Sequence, residues 1–225
     1  MTNPPIRIAP SKLNYWGTYN CLKCYAATLH GWRKPREVFS PIWSRLDGHQ
    51  KTYFKGRSTA AISPDLPPGV IHGGYSVKSA PYVGPNGVQL VIGGNLDAVC
   101  EFEDGSLGVV DLKTSASKLE SLANGYRNQL ACYAYALENP DPEKHEPRDV
   151  STSGLVIVRP ESMVDTNHGT AEIVSTTWIE VRWDEAARKS FIGVLNTVCE
   201  IYANPDCAPS VDGCEWCDIR EKLAA

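Results

Sequence analysis

Apolar residues at Leu13, Tyr15, Trp16, Tyr19, Leu22, Tyr25, Ala26 and Leu29 recur at the spacing of one helical face, with Ser11 at the N-cap position and Gly31 as the stop. A second helix is predicted from about Pro41 to Phe54, burying Ile42, Trp43, Leu46, Tyr53 and Phe54, with Gly56 beyond its end. A proline-dense loop, ISPDLPPG, follows. From Gly69 to Val110 the pattern changes to β-branched runs cut by turn signals at Pro85-Asn86-Gly87 and Glu103-Asp104-Gly105, which predicts consecutive antiparallel strands. Gly94-Asn95-Leu96-Asp97 is expected to be a further short hairpin. Helical character returns from Leu119 to Leu137 and is ended by ENPDPEKHEPRD. GLVIVRP and AEIVSTTWIEVRW read as two more strands, and Asp184 caps a last helix reaching about Tyr202. The order helix, helix, strands, helix, strands, helix predicts an α/β sandwich with a mixed sheet.

The 225 residues suffice for a single domain with a real core. Within it we distinguish a helical part with the first cysteines (1–60), a sheet and helix carrying the chemistry (69–183), and a C-terminal helix with a cysteine segment (184–225). The formal charge is −4, from 22 basic and 26 acidic residues, which excludes a wholly basic, histone-like binder but leaves room for a local basic groove. The start, MTNPPIRIAP, has no apolar targeting core, and runs such as LVIV at 155–158 are too short to span a bilayer, so a cytoplasmic protein without membrane contact is expected. Eight cysteines in such a chain direct attention to metal binding rather than disulfides.

The strongest local signal is the apolar strand Val109-Val110 ending in Asp111-Leu112-Lys113. Side chains alternate along a strand, so Asp111 and Lys113 point together, and Asp97 on the preceding strand is placed to face Asp111 across the sheet. Two converging carboxylates repel, and a hard divalent cation, Mg²⁺ or Mn²⁺, relieves that repulsion. Such an ion binds a phosphate oxygen and acidifies a bound water, while Lys113 orients the water or stabilises charge on phosphorus-bound oxygens. On the next helix Gln129 and Tyr133 share a face at i, i+4 and point the same way. Asp-x-Lys alone is a common tripeptide; its value here comes from the ordered set.

GNLDAVCEFEDGSLGVVDLKTS followed by QLACY resembles the RecB-like branch of the PD-(D/E)XK nuclease superfamily, which includes the RecB nuclease domain and the CRISPR-adaptation exonucleases. The motif core spans residues 94–133. The resemblance implies a restriction-endonuclease-like α/β fold, with a mixed central sheet flanked by helices. It implies that Asp97, Asp111 and the carbonyl of Leu112 ligate the metal, that Lys113 is catalytic, and that Gln129 and Tyr133 help to position nucleic acid. Family members often add a metal-binding histidine on the preceding helix. His49 holds that place, although the family's glycine four residues earlier is Arg45 here; His72 is its rival, and His30, His145 and His168 read as loop or surface residues.

Cys21-x-x-Cys24 and Cys214-x-x-Cys217 offer two thiolate pairs, which suit tetrahedral Zn²⁺ or an iron–sulfur cluster and would join the two ends of the chain. Iron–sulfur members of the resembling family combine one N-terminal with three C-terminal cysteines. That implies a four-iron four-sulfur cluster on Cys21, Cys207, Cys214 and Cys217, with Cys24 as the alternative to Cys207. Cys100, Cys132 and Cys199 read as small core residues.

Lys12, Lys23, Arg33, Lys34, Arg36, Arg45, Lys51, Lys55 and Arg57 enrich the first 57 residues in positive charge, interleaved with Trp16, Trp32, Trp43 and Tyr53. Cations that track phosphates and aromatics that stack on unpaired bases make a nucleic-acid surface. With the ordered set Asp97, Asp111, Lys113, Gln129 and Tyr133, the resemblance implies a Mg²⁺- or Mn²⁺-dependent deoxyribonuclease, an exonuclease on single-stranded DNA ends or flaps, working beside repair, recombination or CRISPR-adaptation proteins. The alternative is a catalytically silent nuclease fold that binds nucleic acid or protein. A thiol redox protein is a third reading, disfavoured because neither CxxC sits in a thioredoxin-like βαβ setting.

Overall fold

The computed structural model describes residues 4–13, 21–33, 41–115 and 117–224. The chain opens with β1 (Ile6–Ile8), a 3-10 turn at Pro10–Leu13 and helix α1 (Leu22–Leu29). The single helix expected from Ser11 is not formed: Ser11 lies inside the 3-10 turn, and Cys21 is extended at φ −100°, ψ 92°, so that α1 starts afresh after it. Tyr15, Trp16 and Tyr19 lie outside the described residues. Helix α2 (Pro41–Phe54) has the expected bounds but a narrower docked face. Phe54 and Gln50 are buried, whereas Ile42 and Tyr53 are 60% and 53% exposed. The docked row is Leu46, Gln50 and Phe54, and Ile42 and Tyr53 fall off it at the first turn and on the flank. The Trp43 side chain is outside what the structure describes.

The sheet follows in β2 (Gly69–Lys78), β3 (Tyr82–Val83), β4 (Gln89–Phe102) and β5 (Leu107–Thr114). Helix α3 (Leu119–Glu138) leads to the long hairpin of β6 (Val150–Thr166) and β7 (Gly169–Glu180), then to α4 (Glu185–Ala203) and α5 (Glu215–Ala224). Asp184 caps α4 as expected, accepting from the Ala187 N–H at 2.9 Å. The segment Gly94-Asn95-Leu96-Asp97 is not a hairpin but the interior of β4, because β2 pairs with it in a single register from Lys78↔Gly93 to Gly69↔Phe102, skipping only the step between Gly74 and Asp97. The turn that does reverse the chain is Glu103-Asp104-Gly105, where Gly105 takes φ +84°, a conformation that side chains resist.

The sheet is mixed. Strand β4 pairs antiparallel with β2, β3 and β5 and parallel with β1, β5 pairs parallel with β6, and β6 pairs antiparallel with β7. Alternate residues feed two cores, one on each face. Val109, Leu155 and Ile157 join Leu130, Ala134 and Leu195 of α3 and α4, while Val110, Leu112, Val156 and Val158 join Phe54 and Ile71. Helices on both faces explain why β5 reads as an unbroken apolar run up to Asp111. Asp111 has the parity of Val109 and faces α3. Among the described residues no helix is long and apolar enough to cross a membrane.

Candidate active site and thiolate centre

The ladder between β4 and β5 runs from Glu101↔Leu107 to Ala98↔Val110 and stops there. One further step of the same register sets Asp97 against Asp111. At that point the strands fork, and side chains replace the missing backbone pairing: Asp97 Oδ2 accepts from the Leu112 N–H at 3.1 Å. In an extended strand the N–H and C=O of one residue point the same way, so the Leu112 carbonyl also faces the Asp97 side. Lys113 Nζ lies 2.7 Å from Asp111 Oδ2 and 4.9 Å from the centre of the Tyr126 ring. Asp97, Asp111 and Lys113 therefore meet at one opening in the sheet.

Helix α3 supports the opening from one face. Gln129 Nε2 donates to Asp111 Oδ1 at 3.0 Å, and the Tyr133 hydroxyl donates to the Asn95 carbonyl at 2.8 Å. Both residues are buried, so they hold the acid and the β4 backbone in place rather than lying on the surface. Gly94 on the same strand leaves room for Pro10, since a Cβ there would stand 2.8 Å from the Pro10 ring, and Tyr133 packs beside it at ordinary contact distance.

Asp111 is 2% exposed. Burial raises its pKa to about 6, the neighbouring Asp97 carboxylate adds to the rise, and the Lys113 ammonium works against it. For Lys113, burial disfavours the charge, but Asp111 and then Asp97 outweigh it and raise the pKa. Burial and the two carboxylates likewise keep Tyr133 a neutral phenol that donates. Lys113 is thus a fixed ammonium, suited to stabilising negative charge and not to accepting a proton.

The second helix contributes a residue that sequence reasoning missed. His49 is exposed and stands outside the site, whereas Lys51 Nζ lies 2.8 Å from Asp97 Oδ1 and 2.7 Å from Asp47 Oδ2. Residues at i and i+2 point to different sides of a helix, so His49 and Lys51 cannot both face the sheet. Gln50 is also turned inward, donating to Thr114 Oγ1 at 2.6 Å. Lys51 was legible only as one of nine cations. His72 is a strand-edge histidine paired with Glu101 at 3.1 Å.

Two carboxylates and a backbone carbonyl are hard oxygen donors, and both carboxylates already hold an ammonium group. That donor set fits a hard divalent cation.

At the other end of the molecule Cys21, Cys24, Cys214 and Cys217 have all four Sγ atoms within 4.8 Å of one another. Cys207 does not join them; it is exposed in the 3-10 turn Pro205–Cys207, so the expectation that places it in the cluster is corrected in favour of Cys24. The turn after α4 carries Cys207 away before the chain reaches Cys214. Burial works against a thiolate at Cys21, but the N–H groups of Cys24 and Val211 and the thiols of Cys217 and Cys24 lower its pKa to about 7. Burial and the adjacent sulfurs push Cys24 up, and Cys217 up to about 11. Four crowded sulfurs cannot all ionise without a cation among them. Cys100, Cys132 and Cys199 are buried in the cores, as expected.

Of the N-terminal aromatics and cations, Arg57 lies over the exposed Tyr53 ring at 4.1 Å. Trp32 packs edge-on to Trp216 beside the thiolates. Lys34, Arg36 and Trp16 lie outside the described residues.

The sequence model of the PD-(D/E)XK nuclease superfamily matches residues 13–221. Among curated proteins none matches. Solved structures that resemble the chain include that of SSO0001, at 14% identity and a TM-score of 0.47, covering 89% of this chain and 79% of the other. Another is a candidate exonuclease from Eubacterium rectale, at 12% identity and a TM-score of 0.45, covering 95% and 87%.

Proposed function

Since the chain belongs to the PD-(D/E)XK nuclease superfamily, we propose that it hydrolyses phosphodiester bonds of DNA with Mg²⁺ or Mn²⁺ at Asp97, Asp111 and the Leu112 carbonyl, as an exonuclease on single-stranded ends or flaps. The observation that carries this reading is the meeting of Asp97, Asp111 and Lys113 at the fork between β4 and β5. A dication bound there would polarise a phosphate oxygen and lower the pKa of water. The Asp97 and Asp111 carboxylates and the Leu112 carbonyl would hold it. Lys113, kept charged by its carboxylate neighbours, donates to the oxygen on which charge grows in the transition state. Gln129 locks the Asp111 carboxylate, and Tyr133 locks the β4 backbone beside it, so little reorganisation is needed when substrate enters. Lys51, once released from Asp97, would be free to pair with a backbone phosphate of the substrate. The exposed Tyr53 and Arg57 near the end of the same helix are suited to stacking on an unpaired base.

The test is incubation of purified protein with end-labelled single-stranded, double-stranded and flapped DNA, with and without Mg²⁺ or Mn²⁺. Stepwise loss from the ends of linear single strands is expected, abolished in Asp111→Ala and Lys113→Ala. Cutting that survives either substitution, or that needs no metal, overturns the assignment; equal degradation of closed circles overturns the exonuclease part. The ion pair of Lys51 with Asp97 favours a second reading, a silent fold that binds without cutting, because the ammonium competes with a dication. Salt-sensitive binding without turnover in either metal is the outcome that selects it.

A further inference from the structure

We propose that Cys21, Cys24, Cys214 and Cys217 hold one tetrahedral Zn²⁺ ion rather than an iron–sulfur cluster, and that this ion fastens the C-terminal helix α5 to α1. The first argument is the size of the set. Cys21 and Cys217 Sγ are 3.5 Å apart, Cys24 and Cys217 3.4 Å, and Cys24 and Cys214 3.7 Å, with every pair inside 4.8 Å. A single zinc with Zn–S bonds of about 2.3 Å sets its four sulfurs about 3.8 Å apart along each tetrahedral edge. A four-iron four-sulfur cluster binds each thiolate to a different iron, at separate corners of a cube, which holds the sulfurs well beyond this separation. The space between these four sulfurs admits one atom.

The second argument is the arrangement of the donors. Each Cys-x-x-Cys sits at the start of a helix: Cys21 is the N-cap of α1 with Cys24 in its first turn, and Cys214 precedes α5 with Cys217 in its first turn. Two helix N-termini therefore point partial positive charge at the sulfurs and favour thiolates. Cys207, the cysteine that the one-plus-three arrangement of the resembling iron–sulfur proteins would use, is exposed and outside the group.

The third argument is what the ion joins. Apart from the cysteines, the contacts that join α1 and its following turn to the C-terminal segment among the described residues include Arg220 Nη1 to the Lys23 carbonyl at 3.1 Å, Lys23 N–H to the Pro209 carbonyl at 3.0 Å, and the Trp32–Trp216 edge contact. The loop closed by Cys24 and Cys214 spans 190 residues, so a bond across it restricts the unfolded chain strongly. None of these residues belongs to the Asp97–Asp111 site, and the proposal stands independently of the nuclease assignment.

The full-length protein, purified without oxygen from cells supplied with both iron and zinc, is assayed for metal, inorganic sulfide and visible absorption. About one zinc per chain, no sulfide and a colourless solution are expected, and Co²⁺ exchanged into the site should show the intense visible bands of a tetrahedral thiolate complex. Iron and sulfide in comparable amounts overturn the proposal, and so does protein free of both metals. Cys24→Ser is expected to lose its zinc and Cys207→Ser to keep it; the reverse assigns the site wrongly. Should Cys24→Ser not fold, the metal and sulfide content of the unaltered chain decides the matter alone.

Discussion

Asp111 is the residue at which this fold gives up stability to bury a carboxyl in the proposed active site. Its carboxyl is 2% exposed, and burial raises its pKa from the ordinary 3.8 to about 6. Between those values the folded chain keeps a proton that the unfolded chain has released. The group therefore contributes stability that is fully present below pH 3.8 and is lost as pH rises through about 6. At 1.36 kcal/mol for each pH unit the loss is about 3 kcal/mol at neutral pH. Asp111→Asn keeps the shape and the acceptor for Gln129 but removes the titration. Urea unfolding of both proteins, in buffer with zinc but no Mg²⁺, from about pH 4 to about pH 7.5, should show the difference in their stabilities moving by about 3 kcal/mol in favour of the variant. Any loosening of the cysteine cluster at low pH is common to both proteins and cancels in this comparison. Added Mg²⁺ should then stabilise the unaltered protein at pH 7.5 and leave Asp111→Asn unmoved. A stability difference that stays constant over the whole pH range would refute the reasoning, and with it the claim that Asp111 is a desolvated acid awaiting a cation.

Three further expectations follow from neighbouring contacts. Lys51→Gln removes the ammonium that competes for Asp97, and a partly exposed pair of this kind is worth about 0.2–1 kcal/mol, so the Mg²⁺ concentration for half-maximal cutting should fall about 1.4- to five-fold; a rise would show that Lys51 contributes more through substrate contact. Gln129→Leu leaves Asp111 Oδ1 without its donor in a buried site and should cost about 1–3 kcal/mol in urea unfolding together with a loss of turnover. Glu138→Ala, at the far end of α3, removes the acceptor shared by the Trp183 indole N–H and the Arg188 guanidinium; it should lower stability by about 1–3 kcal/mol while turnover at a temperature where the variant is folded stays unchanged.

Much of this molecule was readable from local chemistry. The bounds of α2, α3 and α4, the turn at Glu103-Asp104-Gly105 and the shared direction of Asp111 and Lys113 all depend on interactions within a few residues: helical period, glycine at positive φ, an aspartate cap and the two-residue repeat of a strand. The errors have equally definite causes. Ser11 to Leu29 carries a helical pattern, but a 3-10 turn and an extended Cys21 divide it, because the sulfur must reach Cys217 and Cys24. Gly94 and Asn95 look like a turn, yet β2 pairs with β4 along its length and Pro10 needs the space a side chain would fill. Helix α5 was overlooked because Cys214 and Cys217 were read as ligands and not also as its first turn.

The amino-acid order alone specifies which donors exist, since the acids, the lysine and the paired cysteines are matters of composition and short spacing. Which of them meet is decided by contacts across the chain. Periodicity could not choose between His49 and Lys51 on α2, because both faces of that helix are polar; the docking of Gln50 and Phe54 on the sheet turned Lys51 to Asp97 and His49 to solvent. Nor could spacing choose between Cys24 and Cys207, a choice made when α4 and the turn after it carried Cys207 away from the other sulfurs. Local forces act over one turn or one strand pair, whereas a site assembled from residues 21 to 217 depends on how the layers close over one another.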